Sequence, residues 1–112
     1  MKKFILAAVL SAVGSSAFGF CSYSTYISPD DKYNSNGQYL AGAVTKSAAA
    51  AILRQNRAWA GSNECGLGSK SARASFEAKV RRGNISPSTI RAIVRGNPWV
   101  TVEIHGNSVT VY

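Results

Sequence analysis

The chain is poor in the residues from which active sites are most often built. Its 112 residues hold one histidine, two cysteines and five acids. A hydrolytic triad needs a base, an orienting acid and a nucleophile that converge in space. His105 has Glu103 two residues away, an arrangement that an exposed cross-strand pair explains better. Glycoside hydrolysis needs two carboxylates at a set separation. Asp30, Asp31, Glu64, Glu77 and Glu103 show no such pairing, and Glu77 is committed to helical ion pairs. A zinc site needs three or four ligands, and there is no CxxC from which to start one. The sequence therefore reads as a non-enzyme, with neither cofactor nor metal expected. Apolar runs are also scarce: nothing beyond the first few residues approaches the roughly 20 needed to cross a bilayer, so no membrane span is expected.

What the sequence does have begins with its leader. Lys2 and Lys3 precede an apolar stretch from Phe4 to Val13, and small residues follow, with Ala17 and Gly19 placed at −3 and −1 of a cut before Phe20. This order marks a secretory signal peptide over residues 1–19 rather than a buried N-terminal helix. It leaves residues 20–112 as one small domain that is periplasmic or secreted. Phe20 and Phe18 stand where a lipoprotein signal wants small residues, which argues against lipidation of Cys21. In an oxidising compartment paired thiols become bridges, so Cys21 and Cys65 are expected to form a disulfide.

Without its leader the chain carries eleven Lys and Arg against five acids, a net +6 with His neutral. Such a balance favours anionic partners: lipid headgroups, cell-wall polymers, nucleic acid or an acidic protein. A merely solvated surface is the competing reading.

Along the domain, Cys21 to Ile27 alternates as a short strand does. The turn-rich stretch SPDDKYNSNG follows. A helix is predicted from near Gly37 to about Trp59, with Leu40, Val44, Ala48, Ile52, Gln55 and Trp59 as its inner stripe and Lys46, Arg54 and Arg57 on its solvated side. The small residues of that stripe suit core packing better than insertion into a membrane surface. A loop containing Cys65 leads to a second helix, about Ala72 to Arg82, with Ala72, Phe76 and Val80 inward and Arg73–Glu77 and Glu77–Arg81 as ion pairs. A third helix is bounded by Ser86 as N-cap, Pro87 at the first position and Gly96 at the end, with Pro98 beyond. The C-terminus reads as a hairpin about Gly106-Asn107, a turn of the II′ kind. It sets Ile104 opposite Val109 and Val102 opposite Val111, so that both pairs share a face with Val100. The fold expected is α+β, three helices on a small antiparallel sheet of the N-terminal strand and the C-terminal hairpin.

The stretch FEAKVRRGNISPSTIRAIVRG resembles the helix-turn-helix of bacterial repressors, in which a polar cluster opens the recognition helix and Arg contacts phosphate or bases. The hairpin would then be a wing. It is also similar to a helix-hairpin-helix, with Asn84 and Ser86 where that family uses glycines. VEIHGNSVTVY resembles the strand–Gly turn–strand that ends the BON domain, a small periplasmic module, which implies phospholipid or another envelope component as partner. These likenesses cover short stretches only, and no family is assigned on them.

The function expected is binding outside the cytosol, to an anionic envelope component or another protein. Arg81, Arg82, Arg91 and Arg95 are the candidate surface, because a helical hairpin would bring them together. Two other roles fit the composition. One is an immunity or inhibitor protein directed at a toxin or wall hydrolase. The other is a winged helix-turn-helix nucleic-acid binder, less favoured because an exported chain rarely meets duplex DNA.

Overall fold

A computed structural model describes residues 19–112; the signal-peptide reading lies almost wholly outside the described residues. Three helices pack on one face of a four-stranded mixed sheet. In chain order the elements are β1 (Phe20–Tyr26), a single 3-10 turn (Pro29–Lys32), α1 (Lys46–Ala60), a second 3-10 turn (Glu64–Gly66), α2 (Lys70–Arg81), β2 (Asn84–Ile85), α3 (Pro87–Arg95), β3 (Trp99–His105) and β4 (Ser108–Val111).

The sheet order is β1-β3-β4-β2. β1 and β4 each pair antiparallel with β3, in a register that sets Cys21 opposite Ile104, Tyr23 opposite Val102 and Thr25 opposite Val100. The hairpin register is the one its alternation predicts, Ile104 with Val109 and Val102 with Val111. Gly106 has φ 58° and Asn107 is not left-handed, which fits a II′ turn. Val100, Val102, Val109 and Val111 are buried beneath the helices together with Tyr23 and Ile27, while Ile104 at the end of the face is only partly buried.

Two expectations need correcting. The sheet is mixed, because β2 adds a fourth strand parallel to β4, with Asn84 opposite Thr110 and Ile85 opposite Val111. Two residues are too few to show a period, so only the buried Ile85 hinted at it. The close approach explains Gly83: a Cβ there would overlap the carbonyl oxygen of Val109.

The second correction concerns α1, which begins at Lys46 rather than near Gly37. Thr45 caps it, its hydroxyl accepting from the Ala48 N–H at 3.0 Å. The chain before it is a tight loop: Asn34 Oδ1 accepts from the N–H groups of Asn36 and Gln38, and Gly37 takes φ 79°. Asn and Gly stabilise that bend better than they would a first helical turn. The inner face is rotated as well. Ala49, Ala50, Ile52, Leu53, Gln55, Asn56 and Arg57 are buried. Trp59, placed inward by the spacing, is 52% exposed and donates its indole N–H to the Asp30 carbonyl at 3.0 Å. α1 packs against both α2 and α3, so its buried arc is wider than one stripe and takes in polar residues.

Candidate functional site

Two of the three buried polar residues of α1, Asn56 and Arg57, are fully built into the fold. Arg57 is 5% exposed and lies 4.2 Å above the centre of the Tyr23 ring. Its Nε donates to Asn56 Oδ1 at 3.0 Å, one terminal nitrogen to Thr25 Oγ1 at 3.0 Å, and the other to Glu64 Oε1 at 3.1 Å. Asn56 in turn donates to Asp31 Oδ2 at 3.0 Å and to the Tyr26 carbonyl at 3.2 Å. These bonds join β1, both 3-10 turns and α1 next to the Cys21–Cys65 bridge, which is present. Lys32, next to Asp31 in the first 3-10 turn, does similar work: its Nζ donates to the Val94 and Gly96 carbonyls at 3.3 and 2.7 Å, where a helix C-terminus favours a cation. Burial pulls its pKa down, against the neighbouring Asp31.

Gln55 Nε2 is buried without a hydrogen-bond partner among the described residues, and so is the hydroxyl of Tyr23. Burial drives its pKa far above the ordinary tyrosine value, with the Arg57 cation pulling the other way. A folded-state pKa raised above the unfolded one leaves stability intact below about pH 10 and erodes it above, where only the unfolded phenol ionises. Each pH unit there costs roughly 1.4 kcal/mol. Tyr23→Phe is therefore expected to change stability little at pH 7 and to remove this alkaline decline, measured as urea midpoints from pH 7 to 11. An equal decline in the variant would assign it to another group.

The positive charge is segregated. All eleven Lys and Arg of residues 20–112 lie outside the four strands, which carry only Glu103 and His105 as ionisable groups besides tyrosine. The sheet face turned away from the helices carries hydroxyls and rings instead: Ser22, Ser24, Thr101 and Thr110, with Phe20 against His105 and Tyr26 against Trp99 at its two ends. Glu103 lies within it, accepting from the Tyr112 hydroxyl at 2.8 Å and approaching His105 Nε2 at 3.5 Å.

Of the four arginines singled out from the sequence, Arg81 pairs with Glu77 at 3.3 Å and Arg82 donates to the Ala78 carbonyl of its own helix at 3.3 Å. Arg95 reaches the Ala41 carbonyl at 2.6 Å. Arg91 has no polar partner among the described residues and lines a shallow groove of about 410 Å³ with Thr45, Lys46 and Ser88. α2 and α3 pack mainly on α1, and β2 runs between them. Among the described residues no hydrogen bond joins Arg81 and Arg82 to Arg91 and Arg95. All four are exposed on the helical layer. The pair Arg73–Glu77 expected on α2 is not made: Arg73 donates to the Leu67 carbonyl at 3.2 Å, and Glu77 is held by Arg54 at 2.9 Å and by Arg81.

Sequence spacing did not reveal a polar cleft of about 380 Å³ between α1, α2 and the loop before Leu40, with Arg54, Gln55, Lys70, Arg73 and Glu77 in its wall. Its residues come from three separate segments, so no motif unites them. Among the described residues no group of three or more His, Cys, Asp or Glu could hold a metal ion, and no helix is long and apolar enough to cross a membrane. No family model, curated protein or solved structure matches the chain.

Proposed function

We propose that the domain is a non-enzymatic binding module that acts outside the cytosol, holding an anionic component of the cell envelope against its helical layer. The observation that carries this reading is the placement of every Lys and Arg of residues 20–112 off the sheet. Part of that charge is internally committed: Arg57 and Lys32 are buried, and Arg54 and Arg81 share Glu77. Arg82 and Arg91 are exposed and unpaired with any carboxylate among the described residues. They, with Lys46 beside Arg91, supply the positive potential that an anionic surface would meet.

The reading is tested by sedimentation with phosphatidylglycerol vesicles, with phosphatidylcholine vesicles as control. Binding is expected only to the anionic vesicles and is expected to weaken steeply between 50 and 300 mM salt, because exposed charges are screened beyond about 10 Å at 0.1 M. Arg82→Glu with Arg91→Glu should lower affinity at least about tenfold, since each removed basic contact is worth about 1 kcal/mol and each added carboxylate repels. The melting temperature should hold, because exposed charges contribute little to folding. Arg95 is left out of the variant because its bond to Ala41 is part of the fold. Unchanged binding by the double variant would reduce these arginines to a solvated surface.

A further inference from the structure

The two edges of the sheet are finished differently. β2 is only two residues long, which leaves little strand for another chain to pair with. β1, at the opposite edge, has seven residues and reads FCSYSTY, without a charge, a proline or a glycine. Edge strands are commonly blunted by lysine, proline or a bulge. β1 has none of these, and its register with β3 runs unbroken from Phe20–His105 to Tyr26–Trp99. We propose that β1 pairs antiparallel with β1 of a second copy of the chain, joining two sheets into one.

The main chain fixes which groups the edge offers. Bonds from the Gly106 N–H to the Gly19 carbonyl and from the Ile27 N–H to the Pro98 carbonyl bracket the ladder. In that register Cys21, Tyr23 and Thr25 bond to β3, and the N–H and C=O groups of Phe20, Ser22, Ser24 and Tyr26 point the other way. The Tyr26 carbonyl, off the ladder, accepts from Asn56 Nδ2 at 3.2 Å. The main-chain groups of Ser22 and Ser24 have no partner among the described residues, and both residues are exposed. These groups are complementary to their own copies. A two-fold axis at Tyr23 sets Ser22 of each copy opposite Ser24 of the other, where the two residues exchange both main-chain bonds. The same register sets Phe20 opposite Tyr26, exposed rings that lie beside His105 and Trp99 of their own chain. Aromatic pairs across strands add to the pairing. Charge favours this edge over the rest of the surface. Each copy carries a net +6 over residues 20–112, and every Lys and Arg lies outside the strands. Two such molecules repel wherever their cations meet, and β1 brings no cation to the contact. The joined sheet keeps both helical layers on one side, so both present their arginines to the same surface.

This goes beyond the vesicle-binding reading and does not rest on it. One strand pair buries less than the roughly 1,200–2,000 Å² of a standard interface, so a weak dimer is expected, with a Kd of roughly 100 μM. The test is sedimentation equilibrium of the oxidised protein from about 10 μM to about 1 mM, with amide hydrogen exchange followed by NMR at both ends of that range. The mass should rise towards that of a dimer with concentration. It should rise further in high salt, the reverse of the vesicle response, because salt screens the repulsion between copies. As the dimer forms, exchange at the Ser22 and Ser24 amides should slow by about threefold or more, while Tyr23 and Thr25 stay protected throughout by β3. Ser24→Pro removes an N–H that β3 does not use, and an edge strand tolerates proline where the N–H faces solvent. It should weaken the dimer at least about tenfold and leave the melting temperature nearly unchanged. Should Ser24→Pro not fold, Ser22→Lys with Ser24→Lys decides by the same criteria, since it sets like charges directly opposite one another across the axis. A monomer at every concentration would overturn the proposal, as would a dimer whose Ser22 and Ser24 amides still exchange freely, or Ser24→Pro dimerising as the parent does. Protection of both amides at every concentration would overturn it too, because the chain would then be covering its own edge.

Discussion

Replacing Cys21 and Cys65 together by serine is expected to lower stability by about 4 kcal/mol, the loop-entropy value for a crosslink spanning this much chain. The two cysteines are 44 residues apart, and the loop they close contains the first 3-10 turn and all of α1. Cys21 is on the covered face of β1, while Cys65 lies in the short Glu64–Gly66 turn, where it holds φ 55°. That left-handed backbone is unfavourable for any residue with a side chain, so the turn has little of its own to keep it in place once released. Glu64 also ties the turn to the fold, through Arg57 at the same corner. A domain of this size has about 5–15 kcal/mol in total, so the loss is a large share of it. Urea unfolding of the double-serine variant measures it directly, and reduced parent protein should unfold at the same midpoint. A loss under about 1 kcal/mol would mean that noncovalent contacts hold the turn unaided.

Arg57→Ala is expected to be nearly as damaging, at about 3–5 kcal/mol, the cost of removing one member of a buried charged network. Truncation strands Thr25 Oγ1 and Asn56 Oδ1 in the interior and takes the cation from above the Tyr23 ring. It also leaves a void where the guanidinium had been. Glu64 suffers less, because its side chain is half exposed and can turn to water. Arg57→Lys should recover only part of the loss, since one ammonium cannot reproduce a planar fork reaching three acceptors. Unfolding curves that superimpose on the parent would show that this arginine could have been solvated at no cost.

Arg57 also marks the limit of what spacing reveals. The covered faces of β1, β3 and β4 were legible because alternation has a period of two and a one-residue error would turn every valine outward. α3 was legible because Ser86, Pro87 and Gly96 act locally: Ser86 does cap it, accepting from the Thr89 N–H at 3.2 Å. The cysteine pairing followed from there being one possible partner. On α1 the argument failed for a physical reason. Hydrophobic spacing assumes that apolar side chains mark the inward face; it set Gln55 inward but left Arg57 on the solvated side, whereas Asn56 and Arg57 are inside because β1 and the turns supply them with partners. Nothing local to α1 announces those partners. Trp59, the largest apolar residue of the helix, then drew the predicted stripe toward the surface. β2 escaped notice because a two-residue strand is defined by its neighbour rather than by its own composition. The polar cleft escaped because three segments meet only in the folded chain. The arginines chosen at the outset were those adjacent in sequence, whereas those around the cleft are adjacent only in space.

The pairing of β1 with β3 has a consequence in time. β1 opens the described chain, and the strand that completes its ladder, Trp99–His105, lies close to the other end. A ribosome adding roughly 5–20 residues per second therefore leaves β1 waiting for several seconds while α1, α2 and α3 emerge behind it. Those helices can form locally, but the sheet on which they pack has no central strand until β3 appears. Contacts so distant along the chain also close slowly. The nascent segment is thus a string of transient helices that cannot lock until β3 has been made.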